Sequence, residues 1–173
     1  MRPFIENFPF FCIFLCMGTG ILLCMVQDGR TAYRISLFVL AAVALMSGIL
    51  TAYLAVNDYS YLFRMGKFAA PYGNALKVGP LQALLSLVFS LIMGLSIVGG
   101  KSDLFHDILP RKLPFYFIMT NLTMASLLTL TYTTDIFTAY VFIEISTIAA
   151  CAMVMLKESG WNLVATIRYL FMS

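Results

Sequence analysis

The sequence predicts an all-α integral membrane protein, and three observations predict it. Its 173 residues are 61% hydrophobic and only 11% charged, where a soluble domain is about one quarter charged. Mean hydropathy is +0.92. The apolar residues fall in continuous runs of about 20, the length at which a helix crosses a hydrocarbon core of about 30 Å. These runs do not alternate between apolar and polar residues, which excludes a β-barrel. The reading is a single transmembrane helical domain over 1–173, with five complete spans and a partial sixth.

Span 1 is expected over 8–26. Its positive start and apolar run resemble a signal peptide, but the run is long and has no small-residue cleavage site, so it reads as a span. Span 2 is expected over 35–56. Span 3 covers 81–98, with Pro80 as a first-turn residue, where a missing N–H costs nothing. Span 4 covers 115–132, after Pro114, and span 5 covers 136–156. The stretch 161–173 starts a sixth helix. At about 1.5 Å per residue it reaches about 20 Å, short of a full crossing. The expectation is either a fragment or the first part of a bundle completed by another polypeptide.

Loop charge sets the expected orientation. With the N-terminus outside, the inner loops hold Arg30, Arg34, Lys101, Arg111, Lys112 and Lys157, and the outer side holds Arg2, Arg64, Lys67 and Lys77. That excess favours the N-terminus outside. The net charge of +3 is spread over loops, with no basic block for nucleic acid. The longest loop, 57–79, carries turn residues Pro71, Gly73 and Gly79 and the aromatics Tyr59, Tyr61, Phe68 and Tyr72, which suit a membrane interface.

Small residues mark expected helix contacts: Cys12, Cys16, Gly20 and Cys24 on span 1; Ala44, Gly48 and Ala52 on span 2; Gln82, Ser86, Ser90 and Gly94 on span 3. Cys12, Cys16, Cys24 and Cys151 all lie in apolar spans, so no disulfide is expected. A metal is not expected either, because the span-1 thiols spread over about 18 Å of helix. His106, the sole histidine, reads as a surface residue of the loop between spans 3 and 4. Nothing supports hydrolytic or nucleophilic catalysis on this chain.

Glu144 is the residue that carries chemistry. It lies near the middle of span 5 with no other charge in that span. An ionisable group at the bilayer centre costs at least about 2.5–3.5 kcal/mol, so its default reading is an ion or proton site. Tyr140, Thr147 and Cys151 share its face at helical spacing, while Phe142, Ile145, Ala149 and Met153 lie on the other side. The expectation is that Glu144 points into the bundle or a hydrated cavity. Asp135, at the turn before span 5, is read as an ion-path residue or as a solvated helix cap. Tyr140, Thr147, Thr120 and Thr123 form a candidate hydrated path, although span-4 hydroxyls can equally bond their own helix backbone. No Lys or Arg lies inside a complete span. The nearest is Arg168, in the partial helix.

The stretch DIFTAYVFIEISTIAACAMV, 135–154, resembles the fifth helix of the antiporter-like subunits of respiratory complex I, Mrp-type cation/proton antiporters and membrane-bound [NiFe] hydrogenases. The match includes Asp135 before the helix and Glu144 in its middle. MGKFAAPYGNALKVGPLQALLSLVFS, 65–90, is similar to the loop and third helix of the hydrogenase and Mrp-like branch, and NLVATIRYLFMS to the start of helix 6. Gln82 departs from the pattern, since relatives of this branch tend to carry an acidic residue there. The resemblance implies the first half of a fold of about fourteen helices in two inverted repeats. It implies proton or sodium translocation through Glu144, which pairs in the family with a Lys of helix 7 supplied outside this chain. It further implies other membrane subunits as partners, a bacterial or archaeal inner membrane, and iron–sulfur clusters with nickel–iron or quinone on partner subunits only. The alternatives are a structural or assembly half-subunit without its own ion pathway, and a small stand-alone carrier acting as an oligomer.

Overall fold

The structure is a computed structural model that describes residues 5–57, 60–64, 75–157 and 160–172. The elements, in order, are α1 (Phe8–Leu23), α2 (Gly29–Asn57), β1 (Tyr61–Arg64), β2 (Ala75–Val78), α3 (Pro80–Gly99), α4 (Lys101–Asp107), α5 (Leu113–Tyr132), α6 (Ile136–Met155) and α7 (Gly160–Met172). The helices α2, α3, α5 and α6 are long and apolar enough to cross a membrane, and α1 is a shorter apolar helix. The chain is a multi-pass helical membrane protein.

Helix ends follow local chemistry. Pro80 opens α3, and Pro9 and Pro114 fall in the first turns of α1 and α5. Asp28 caps α2: its carboxylate accepts from the backbone N–H of Arg30 at 3.3 Å and of Thr31 at 3.1 Å. This cap starts α2 six residues before the expected span, so Arg30 and Arg34 are helical. Span 1 was expected to reach residue 26. Regular helix stops at Leu23, and the next residues tighten into i→i−3 bonds, with Cys24 N–H donating to Ile21 O and Met25 N–H to Leu22 O.

Two elements were not foreseen. The described part of the long loop forms an antiparallel hairpin, with Tyr61 opposite Val78 and Arg64 opposite Ala75. The fold is therefore helical with one small sheet. The hairpin is tied to both neighbours: Tyr61 Oη donates to Glu6 O at 2.8 Å, and Thr134 Oγ1 donates to Ala75 O at 2.9 Å. The second is α4, a short helix whose Phe105 packs edge-on against Tyr33 while Lys101 sits 5.2 Å from the centre of the same ring. Arg2, Tyr59, Lys67, Phe68, Pro71, Tyr72, Gly73 and Ser173 lie outside the described residues.

The core is built around α5, which packs against α1, α2, α3 and α6. Leu23, Leu40, Leu50, Leu54, Phe117, Met124 and Leu128 are fully buried. Small side chains hold the close approaches. Cys12 and Cys16 are buried on α1, and a Cβ on Gly20 would lie 3.8 Å from the Ile118 carbonyl. Gly29 is tighter: a Cβ there would come within 2.7 Å of Leu113 Cβ. On α2 the buried row is Ser36, Leu40, Val43, Ser47, Leu50 and Leu54. Of the expected Ala44, Gly48 and Ala52, Gly48 meets α3, where a Cβ would lie 3.7 Å from Leu87 Cδ1, and Ala44 is half-buried. Ala52 is exposed, because neighbours on α1, α3 and α5 select the face that small size alone does not.

Candidate functional site

The buried hydroxyls of α5 are satisfied within the chain. Thr120, Thr123, Ser126, Thr129 and Thr131 each donate to the carbonyl four residues back, at 2.8–2.9 Å. Tyr132 Oη donates to Ser86 Oγ at 2.8 Å, and Ser86 in turn to Ala83 O. Asn121 is an amide inside span 4. It is fully buried and donates to Ser36 Oγ at 2.7 Å and to Phe117 O at 2.8 Å, leaving Oδ1 without a donor. An amide inside an apolar run is the sequence signal for such a contact. Its partner, 85 positions away, has none.

Glu144 is half-buried on α6. Thr147 Oγ1 donates to the Glu144 backbone carbonyl at 2.8 Å, so this neighbour bonds the helix rather than the carboxylate. No ion pair joins the Glu144 carboxylate to any described residue. The face it occupies differs from expectation. Ala149 is fully buried, and Met153 Sδ lies 3.6 Å from Thr120 Oγ1 on α5. Met153 is nine positions from Glu144, or two and a half turns at about 3.6 residues per turn, so the two point in opposite directions. The Ala149 and Met153 side packs on α5, and Glu144 looks away from it. Tyr140 is 61% exposed on the Glu144 side, with Phe137 and Ile148 also exposed. Cys151 continues this stripe but is buried, and with Thr166 and Tyr169 of α7 it lines a small pocket. Among the described residues, the Glu144 face is covered near its C-terminal end.

Asp135 caps α6. Its carboxylate accepts from Thr138 N–H at 3.0 Å and Thr138 Oγ1 at 2.8 Å. The Thr138 hydroxyl, then its backbone N–H, hold the Asp135 carboxyl below the usual carboxylate range. Asp135 also lies nine positions from Glu144, about 14 Å along the axis and on the opposite side of the helix. The fold therefore brings Tyr140 and Thr147 alongside Glu144. It places Asp135 at the helix end and Thr120 across α6. Among the described residues no three His, Cys, Asp or Glu side chains gather as a metal set.

No protein-family profile matches the chain. Over 136 residues it is 31% identical to the NADH-quinone oxidoreductase subunit N of Desulforudis audaxviator (strain MP104C), an alignment that covers 77% of this chain and 27% of that protein. The fold superposes on a chain from the membrane-bound sulfane sulfur reductase, an archaeal respiratory membrane complex, with a TM-score of 0.76 and 18% identity. That match covers 96% of this chain and 32% of the other. The chain thus spans about a third or less of the length of each. The likeness to subunit N and the shared helical fold support the resemblance of this chain to the antiporter-like membrane subunits, with Glu144 at mid-span on α6, the fourth of its long apolar helices.

Proposed function

We propose that the chain is the ion-translocating first part of an antiporter-like subunit in a redox-driven membrane complex. The ion is a proton or sodium, and Glu144 is the group that takes it up and releases it. One observation carries the reading: a carboxylate at mid-span, half-buried, without an ion pair among the described residues, on a helix face that α5 leaves open. A carboxylate in that position is retained at a cost in lipid. A cation brought against the open face, such as the helix-7 lysine that the resemblance implies, would favour its charged form, and withdrawal of that cation would favour the neutral one. Tyr140 and Thr147 lie within a turn of it and supply hydroxyls for a hydrated path. Residues 65–90 support the hydrogenase and Mrp-like branch. Other membrane subunits are its partners, the redox groups belong to those partners, and the N-terminus lies outside.

The test is ion pumping against electron transfer in membrane vesicles containing the assembled complex. Glu144→Gln keeps the size and hydrogen-bonding capacity of the side chain but cannot ionise. Pumping is expected to fall to background while the redox reaction continues. Normal pumping in an assembled Gln variant would establish the scaffold reading instead, which draws support from the α5 hydroxyls being bonded to their own backbone.

A further inference from the structure

The end of the bundle opposite the hairpin holds a groove of about 1030 Å³ between the α1–α2 turn and the start of α5. Its rim carries Arg30 and Arg111, both exposed. Its wall is apolar: Phe105 from α4, and Phe115 and Ile118 from the first turns of α5. We propose that this groove binds an anionic phospholipid, with the phosphate between the two guanidinium groups and an acyl chain along Phe115 and Ile118.

Position, charge and polarity support one occupant. The groove sits where the long apolar helices α2 and α5 begin. Its cationic groups lie above the span, and its apolar residues lie four and seven positions further along the chain from Arg111. That is the profile of an amphiphile entering from the membrane rather than of a soluble anion. Neither Arg30 nor Arg111 makes a salt bridge with a described residue. The one carboxylate in the lining, Asp28, is committed to the Thr31 hydroxyl and the amides of Arg30 and Thr31, which hold its carboxyl below the usual range. Arg34, Lys101 and Lys112 add positive charge at the same end of the bundle. Guanidinium groups grip phosphate in a fork, and basic pockets between spans are sites for anionic headgroups.

The experiment uses the full chain in nanodiscs of phosphatidylcholine, with and without phosphatidylglycerol, and reads retained lipid by native mass spectrometry. The wild type is expected to retain phosphatidylglycerol selectively. The Arg30→Gln/Arg111→Gln variant should bind it roughly 30-fold more weakly, the equivalent of about 1 kcal/mol per arginine. Arg30→Lys/Arg111→Lys keeps the charge but loses the fork, and should bind phosphatidylglycerol at a level between the wild type and the double Gln variant. Gln27→Glu adds a carboxylate to the lining without removing an arginine, and should also weaken retention if the double Gln variant does not fold. Cys24, exposed in the same lining, gives a second readout, since its thiol should label more slowly in phosphatidylglycerol discs. Equal retention of both lipids by the wild type overturns the proposal. So does displacement of the lipid by inorganic phosphate, which would mark a free-anion site.

Discussion

Helices α5 and α6 have equal length and adjoin in sequence, yet they do opposite things with their polar residues. In α5, 56% of the spanning window is buried inside the chain; in α6, 11% is. Hydroxyls and an amide on α5 meet carbonyls, Ser36 and Ser86, and among the described residues one buried acceptor, Asn121 Oδ1, is left over. On α6 the charged group faces outward from α5 with no ion pair among the described residues. Polar residues within lipid must find partners. The partners of α5 lie among the described residues, and no ion-pair partner of Glu144 does. A polar group satisfied at home holds the bundle together, whereas one left open is available for chemistry or docking.

Glu144 offers the largest way to break this contrast. Glu144→Gln should abolish ion pumping in an assembled complex without stopping electron transfer, whereas removing a hydroxyl from α5, as in Thr129→Val, should leave pumping intact. If both variants pump equally, the two helices do not differ in kind.

Close packing at the basic end comes next. Gly29→Ala would drive a methyl group into Leu113 Cβ, which belongs to a rigid part of its side chain. Overpacking of this kind costs about 1–3 kcal/mol, and thermal unfolding in detergent should show it. Gly18→Ala, with open space around its Cβ, should not.

Tyr132→Phe removes a buried hydrogen bond to Ser86. The expected loss is about 0.5–1.5 kcal/mol, read by the same assay, with ion transport unchanged.

The smallest effect belongs to the Asp135 cap. Its carboxyl lies below the usual carboxylate range when folded, because Thr138 stabilises the charged form. The cap's contribution is therefore fully present above the ordinary carboxyl value and fades as pH falls through the lowered one. Asp135→Asn retains a capping oxygen without a titration, so its melting temperature should lose this acid dependence. A Glu144→Gln variant should keep it, which separates the helix-end carboxyl from the mid-span one.

Much of the bundle was legible residue by residue. Span 3 was expected over 81–98 and α3 runs Pro80–Gly99, because a proline opens it and two glycines follow the apolar run. The hairpin was not legible. Its strands, YLFR and ALKV, are four residues each and are matched by pairing across the loop rather than by a pattern of their own. The groove at the basic end joins residues from three separate stretches of sequence. Arg30 and Arg111 were counted in the sequence only as loop charges.

The sequence by itself determined that lipid is the solvent, where the long helices run, and that Glu144 sits at mid-span. These follow from the length and polarity of each segment, which are local properties. Tertiary structure alone decided which side of α6 is used. Helical spacing groups Tyr140, Glu144 and Thr147 on one stripe but does not say what stands beside that stripe. Burial of Ala149 and the contact of Met153 with Thr120 give the opposite stripe to α5. The direction of a side chain on a helix is settled by its neighbours, and the neighbours are set by packing.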